Sequence, residues 1–149
     1  MSEHNIVAEW LQIAWDDYDS ALHLFKTKIP KPLEIICYHC QQSAEKYLKG
    51  YLFYNGEKPP KTHEVDRLCD MCSVIDSQFE EIYDESVALT QYGIQPRYPY
   101  EISIDEYHMK QALAFARSIR EFKILHDLHE KLVSMESQKR EHTLDEPTI

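Results

Sequence analysis

Apolar side chains recur at Leu11, Ala14, Trp15, Tyr18, Ala21, Leu22 and Phe25, while Asp16, Asp17, Asp19 and Ser20 fall between them. This is the i, i+3, i+4, i+7 stripe of an amphipathic helix, and it predicts a first helix ending near Thr27, ahead of Pro30 and Pro32. A second stripe runs through Leu33, Ile36, Cys37, Cys40, Ala44, Tyr47, Leu48, Tyr51 and Leu52. It predicts a helix that opens at about Pro32, a favourable first-turn residue, with Glu34 at the positive end of the dipole. Gly50 inside that stripe predicts close packing against a neighbour, and Gly56, Pro59 and Pro60 end the helix.

Thr62 is the expected cap of a third, short helix with Val65, Leu68, Cys69, Cys72 and Ile75 inward. A break is expected at about Asp76, after which Ser77-Gln78-Phe79-Glu80 has the form of a capping box and restarts the helix. Residues 91–102 cannot form one helix, because Pro96 and Pro99 each remove a donor and clash with the preceding turn. Ser103-Ile104-Asp105-Glu106 forms a second capping box, with Ile102 and Tyr107 placed as a hydrophobic staple, and the last helix is expected to reach about Leu132. The whole predicts an all-α, up-down bundle of four or five helices. It forms one domain over residues 1–135, followed by a polar tail over 136–149 expected to fray.

Composition supports helices: three glycines in 149 residues, with 43% apolar side chains, supply a real core and few breakers. The net charge of −10 argues against broad DNA binding, since grip on a phosphate backbone needs a dense basic surface. The charge is uneven. Residues 1–25 hold five acids (Glu3, Glu9, Asp16, Asp17, Asp19) and no Lys or Arg. Residues 26–67 hold Lys26, Lys28, Lys31, Lys46, Lys49, Lys58, Lys61 and Arg67 against five acids, so a local phosphate or acidic-partner site there is possible. No basic-then-apolar leader opens the chain and no apolar run approaches the roughly 20 residues of a membrane span, so a cytoplasmic location is expected.

Cys37-x-x-Cys40 and Cys69-x-x-Cys72 have the spacing of a thiolate zinc site. Both pairs lie within helical stripes with no turn residue beside them, so they are expected to be core filler and no metal or cofactor is called for. No nucleophile elbow, Walker loop or dinucleotide fingerprint occurs. Arg120 and His126 satisfy an Arg-x5-His spacing, which an amphipathic helix produces readily by chance. Gln41 and Gln42 beside an apolar stripe require partners for their amides. Lys46 and Lys49, one turn apart, either present two cations to one anion or form with Glu45 a surface pair worth only ~0.3–0.5 kcal/mol. Arg97 is the sole Lys or Arg between Arg67 and Lys110 and sits in Pro-Arg-Tyr-Pro, where two prolines restrain a fork suited to phosphate or carboxylate.

These segments together resemble the HEPN (higher eukaryotes and prokaryotes nucleotide-binding) family. The resemblance rests on Ala8-Glu9-Trp10-Leu11 with Ala14 and Asp16-Asp17, and on Ile36-Cys37-Tyr38-His39-Cys40-Gln41-Gln42-Ser43-Ala44-Glu45-Lys46-Tyr47-Leu48-Lys49. It continues through Pro60-Lys61-Thr62-His63-Glu64 with Leu68, and Leu89-Thr90 through Arg97-Tyr98-Pro99, covering about residues 6–125. It implies a helical bundle, commonly a homodimer, often paired with a minimal nucleotidyltransferase as a toxin–antitoxin system. On that basis Lys46, Lys49, His63, Arg97 and Tyr98 are the expected phosphate and base contacts of a bound nucleotide. Many members of the family are metal-independent ribonucleases using Arg-x4–6-His, where His moves the 2′-hydroxyl proton and Arg stabilises phosphorane charge. Arg97 matches the arginine, but positions 102–104 are Ile102, Ser103 and Ile104, and His108 lies too far along. The resemblance therefore points to binding of a nucleotide or partner without catalysis by the chain itself. The alternatives are an RNA endonuclease using Arg97, or a structural interaction module.

Overall fold

A computed structural model describes residues 3–93 and 104–144, with side chains over 4–93 and 104–133. Among the described residues the chain is all helical. Helices α1 (Glu3–Thr27), α2 (Leu33–Tyr54) and α3 (Val65–Ile75) are followed by a 3-10 segment (Ser77–Ile82), α4 (Tyr83–Thr90), α5 (Glu106–Glu121) and α6 (Lys123–Leu144). No helix is long and apolar enough to cross a membrane among the described residues.

Helix α2 is the central element, packing on α1, α3, α4, α5 and α6. Its pairing with α1 is antiparallel. His39 meets Asp17, the Ser43 hydroxyl donates to the Ala14 carbonyl, and Gly50 faces Leu11, so one helix ascends as the other descends. Gly50 permits the closest part of this approach, because a Cβ there would lie 3.1 Å from Leu11 Cδ2 and 3.3 Å from Trp10 Cβ. Leu11, Ile36, Leu48, Leu52, Leu68, Phe79, Leu89, Met109, Ile119 and Leu125 are fully enclosed and draw every helix into one core. Burial at about 25 cal/mol per Å² of apolar surface is the main force holding such a bundle together.

The connection 55–64 runs back along α2. His63 reaches Glu45, Cys72 reaches the Leu48 carbonyl and the Phe79 ring packs at a tilt against Tyr51, so α3 advances in the same sense as α2. Helix α4 returns along α3, with the Thr90 hydroxyl on Asp66. Its end therefore comes back to the start of α3, and Gly93 lies against His63.

Several local expectations are corrected. The cap of α3 is Glu64, and the Thr62 hydroxyl accepts from the Glu64 amide instead. Asp76 rather than Ser77 caps the next segment, accepting from the Gln78 amide at 3.0 Å, and that segment is 3-10. Asp105, not Ser103, caps α5, its carboxylate accepting from the His108 amide at 2.8 Å. Aspartate is as good an N-cap as serine, and the register of the first buried position chooses between neighbours. Ile102 and Ser103 themselves fall outside the described residues, as does the staple involving Ile102.

The single last helix is in fact two. Phe122, at φ −57° and ψ 125°, breaks it with neither glycine nor proline present. The break lets the Phe122 ring pack edge-on against Phe79 at 5.0 Å and turns α6 toward α1, where His129 stacks on Trp15 at 4.6 Å. Helix α6 then runs to Leu144, beyond the end near Leu132 that periodicity predicts.

Candidate functional site

One carboxylate organises the middle of α2. Glu45 is 1% exposed, and four donors surround it. Its Oε1 accepts from His63 Nδ1 at 2.7 Å and from Gln41 Nε2 at 3.1 Å. Its Oε2 accepts from Lys46 Nζ and Lys49 Nζ, each at 3.2 Å. Burial alone would raise this carboxyl's pKa. The His63 hydrogen bond, Lys46, Gln41 and Lys49 outweigh burial and hold it below its ordinary value, so Glu45 is an anion at neutral pH.

The glutamines extend the network. Gln41 Nε2 also donates to the His63 carbonyl at 2.9 Å, and its Oε1 accepts from Gln42 Nε2 at 2.7 Å. Gln42 Oε1 accepts from Lys46 Nζ at 2.8 Å, which closes a ring of hydrogen bonds back onto Glu45. The side-chain amides thus find the partners that their place beside the apolar stripe demanded. Gly93 completes the wall: a Cβ there would lie 3.1 Å from His63 Cβ, 3.2 Å from the His63 carbonyl oxygen and 3.3 Å from Gln41 Nε2.

Of the residues expected to contact a ligand, Lys46, Lys49 and His63 are brought together around Glu45. They are not equivalent. Lys49 is nearly enclosed, its side chain 9% exposed, with its ammonium also at 6.0 Å from the Trp10 ring. Lys46 reaches the surface partly, and the His63 ring is 68% exposed. Two lysines against one carboxylate leave a net positive charge here in a chain of net −10. Arg97 and Tyr98 lie outside the described residues, in the segment that leaves Gly93 beside His63. The residue that sequence reasoning missed is Glu45 itself. Its signal was present, since positions 37, 40, 41, 44, 45 and 48 fall on one buried helical face, which puts Glu45 inside rather than on a solvated pair.

Among the described residues, no group of three or more His, Cys, Asp or Glu side chains is placed to hold a metal ion, and Arg120 and His126 are not brought together. Arg120 donates to Asp19 at 3.0 Å and lies over the Trp15 ring at 3.4 Å and the Tyr18 ring at 4.8 Å. His126 lies past the break at Phe122, near Asp127 and Glu130, and no hydrogen bond or ring contact joins it to Arg120 among the described residues. Cys37, Cys40, Cys69 and Cys72 are free thiols enclosed in the core. Burial pushes the Cys37 thiol up to about 12 and raises the other three, so all four are protonated and apolar in character. His108 serves the start of α5, its Nδ1 2.7 Å from Asp105.

The sequence model of the HEPN domain matches residues 7–131. The chain belongs to the HEPN family. No curated protein and no solved structure matches it. The HEPN match spans α1 through most of α6, so the Glu45 network lies in the middle of the family's domain and not in an appended piece.

Proposed function

We propose that this HEPN protein is a dimeric nucleotide- or partner-binding component of a nucleotidyltransferase/HEPN pair, working in the cytoplasm without catalysis of its own. The observation that carries the ligand part is the cationic cluster held by a buried carboxylate. Glu45 fixes Lys46 and His63 at the surface, and Gly93, just past the end of α4, lies against His63. A preorganised cation loses little freedom on binding a phosphate, and that lowers the cost of association. In this reading Lys46 and His63 contact the phosphate directly, Lys49 acts through Glu45, and Arg97 and Tyr98 are the further phosphate and base contacts that the sequence suggests. A guanidinium such as that of Arg97, which stands in Pro-Arg-Tyr-Pro, has the fork geometry that bidentate phosphate contact uses.

Titration calorimetry with nucleoside mono-, di- and triphosphates tests it. Binding is expected to weaken about tenfold or more in Lys46→Ala and in Arg97→Ala, since one charge-assisted contact is worth about 1.5–3 kcal/mol. Absence of heat with every nucleotide sinks the ligand part, and a monomer in sedimentation sinks the dimer.

A further inference from the structure

We propose that His63 is a covalent phosphoryl acceptor, with Nε2 as the nucleophile and Glu45 as the group that orients the ring. The inference rests on the phosphate-binding reading above only for the role of Lys46. An ionised carboxylate only accepts hydrogen bonds, so the 2.7 Å contact from Glu45 Oε1 requires the proton on His63 Nδ1. In the neutral ring the lone pair is then on Nε2. The Glu45 side chain is 2% exposed and the His63 side chain 68%, so the ring is anchored from below and open to solvent elsewhere. No described residue hydrogen-bonds Nε2.

The carboxylate cannot swing away, because Gln41, Lys46 and Lys49 also hold it. This is the nucleophile-and-orienting-group arrangement of covalent catalysis, with the imidazole itself as nucleophile. The other histidines whose side chains are described lack the combination. His39 pairs with the partly exposed Asp17 and is itself only 29% exposed. The Asp105 partner of His108 is 65% exposed. His129 is buried with neither ring nitrogen hydrogen-bonded.

The step balances simply. The Nε2 lone pair attacks phosphorus, and an N–P bond forms as the bond from phosphorus to the donor's leaving group breaks. The leaving group departs with that electron pair, as ammonia from a phosphoramidate, which then takes a proton from water, or as a carboxylate anion from an acyl phosphate. The donor is a phosphoramidate or an acyl phosphate, both of which carry a labile bond of that kind. The ring keeps its Nδ1 proton and becomes positive, facing the Glu45 carboxylate. Lys46, beside it, offsets charge on the phosphoryl oxygens.

The test is incubation of the full chain with potassium phosphoramidate, followed by intact mass, 31P NMR and peptide mapping. One acid-labile, base-stable phosphoryl group at His63 is expected, formed about tenfold faster than at any other histidine. His63→Asn keeps a donor for Glu45 and should fold normally but take up nothing at that rate. Glu45→Gln should slow uptake about tenfold. If that variant does not fold, 15N NMR of the wild-type ring replaces it, with the proton expected on Nδ1. Equal labelling of His4, His23, His63, His108 and His126, or a proton on Nε2, overturns the proposal. Nucleotide calorimetry in parallel separates the two ideas: binding without His63 phosphorylation refutes the acceptor and leaves the binding role, and phosphorylation without binding does the reverse.

Discussion

Replacing Glu45 with alanine removes the acceptor for four donors at once. Lys49, its side chain 9% exposed, would keep a buried ammonium with no counter-charge, and Gln41 Nε2 would lose one of its two acceptors. Breaking a buried pair by removing one partner costs about 3–5 kcal/mol, because the remaining charge stays desolvated. Lys46 and His63 can turn to water, so their lost contacts add little and the estimate stays in that range. For a chain of this size each kcal/mol lowers Tm by about 2–4 °C, so a drop of roughly 6–20 °C is expected. Thermal unfolding followed by circular dichroism measures the shift, and urea unfolding the free energy. The double variant Glu45→Leu with Lys49→Met should recover most of the loss, since apolar replacement of both partners is often neutral. The pH dependence has a definite sign. With its carboxyl held below the ordinary 4.5, folded Glu45 resists a proton that the unfolded chain accepts. Its contribution is full at neutral pH and drains away as pH falls below that value. A loss under about 1 kcal/mol in Glu45→Ala, or a loss that persists undiminished in acid, would refute the reasoning.

Three further outcomes follow from other buried groups. The Tyr47 hydroxyl is enclosed with no hydrogen-bond partner among the described residues, so Tyr47→Phe should leave stability unchanged or raise it by about 1 kcal/mol; a clear loss would reveal a missing partner. His129 is buried and its pKa is held below the ordinary 6.5 by desolvation, so the fold loses stability as pH falls through that value, when the unfolded chain takes a proton first. His129→Phe keeps the stack on Trp15 and should flatten that part of the stability profile; an unchanged profile counts against it. Gly93→Ala should cost about 1–3 kcal/mol and disturb the His63 ring resonances, because its Cβ meets the His63 backbone carbonyl, which cannot step aside as a side-chain tip can; an unchanged His63 environment would show the approach to be looser.

Helical periodicity and the scarcity of glycine determined the all-α class, the helix faces and the break at Asp76, because side-chain burial at 3.6-residue spacing is a local property of the chain. The run from Gln41 to Lys49, with Lys61-Thr62-His63 after it, likewise carried the HEPN family in its own residues. What tertiary structure decided was the use of those residues. A Glu-Lys pair four apart looks the same on a solvated face and in a core. Only the return of the 55–64 connection along α2, and of α4 along α3, encloses Glu45 and sets His63 upon it. The break at Phe122 was invisible for the same reason, since no breaker residue marks it and the ring that Phe122 packs against, Phe79, lies 43 positions earlier in sequence. Charge and hydrogen-bonding capacity are written along the chain. Whether a group pays desolvation, and which distant partner compensates it, depends on contacts that form only when the helices close on one another.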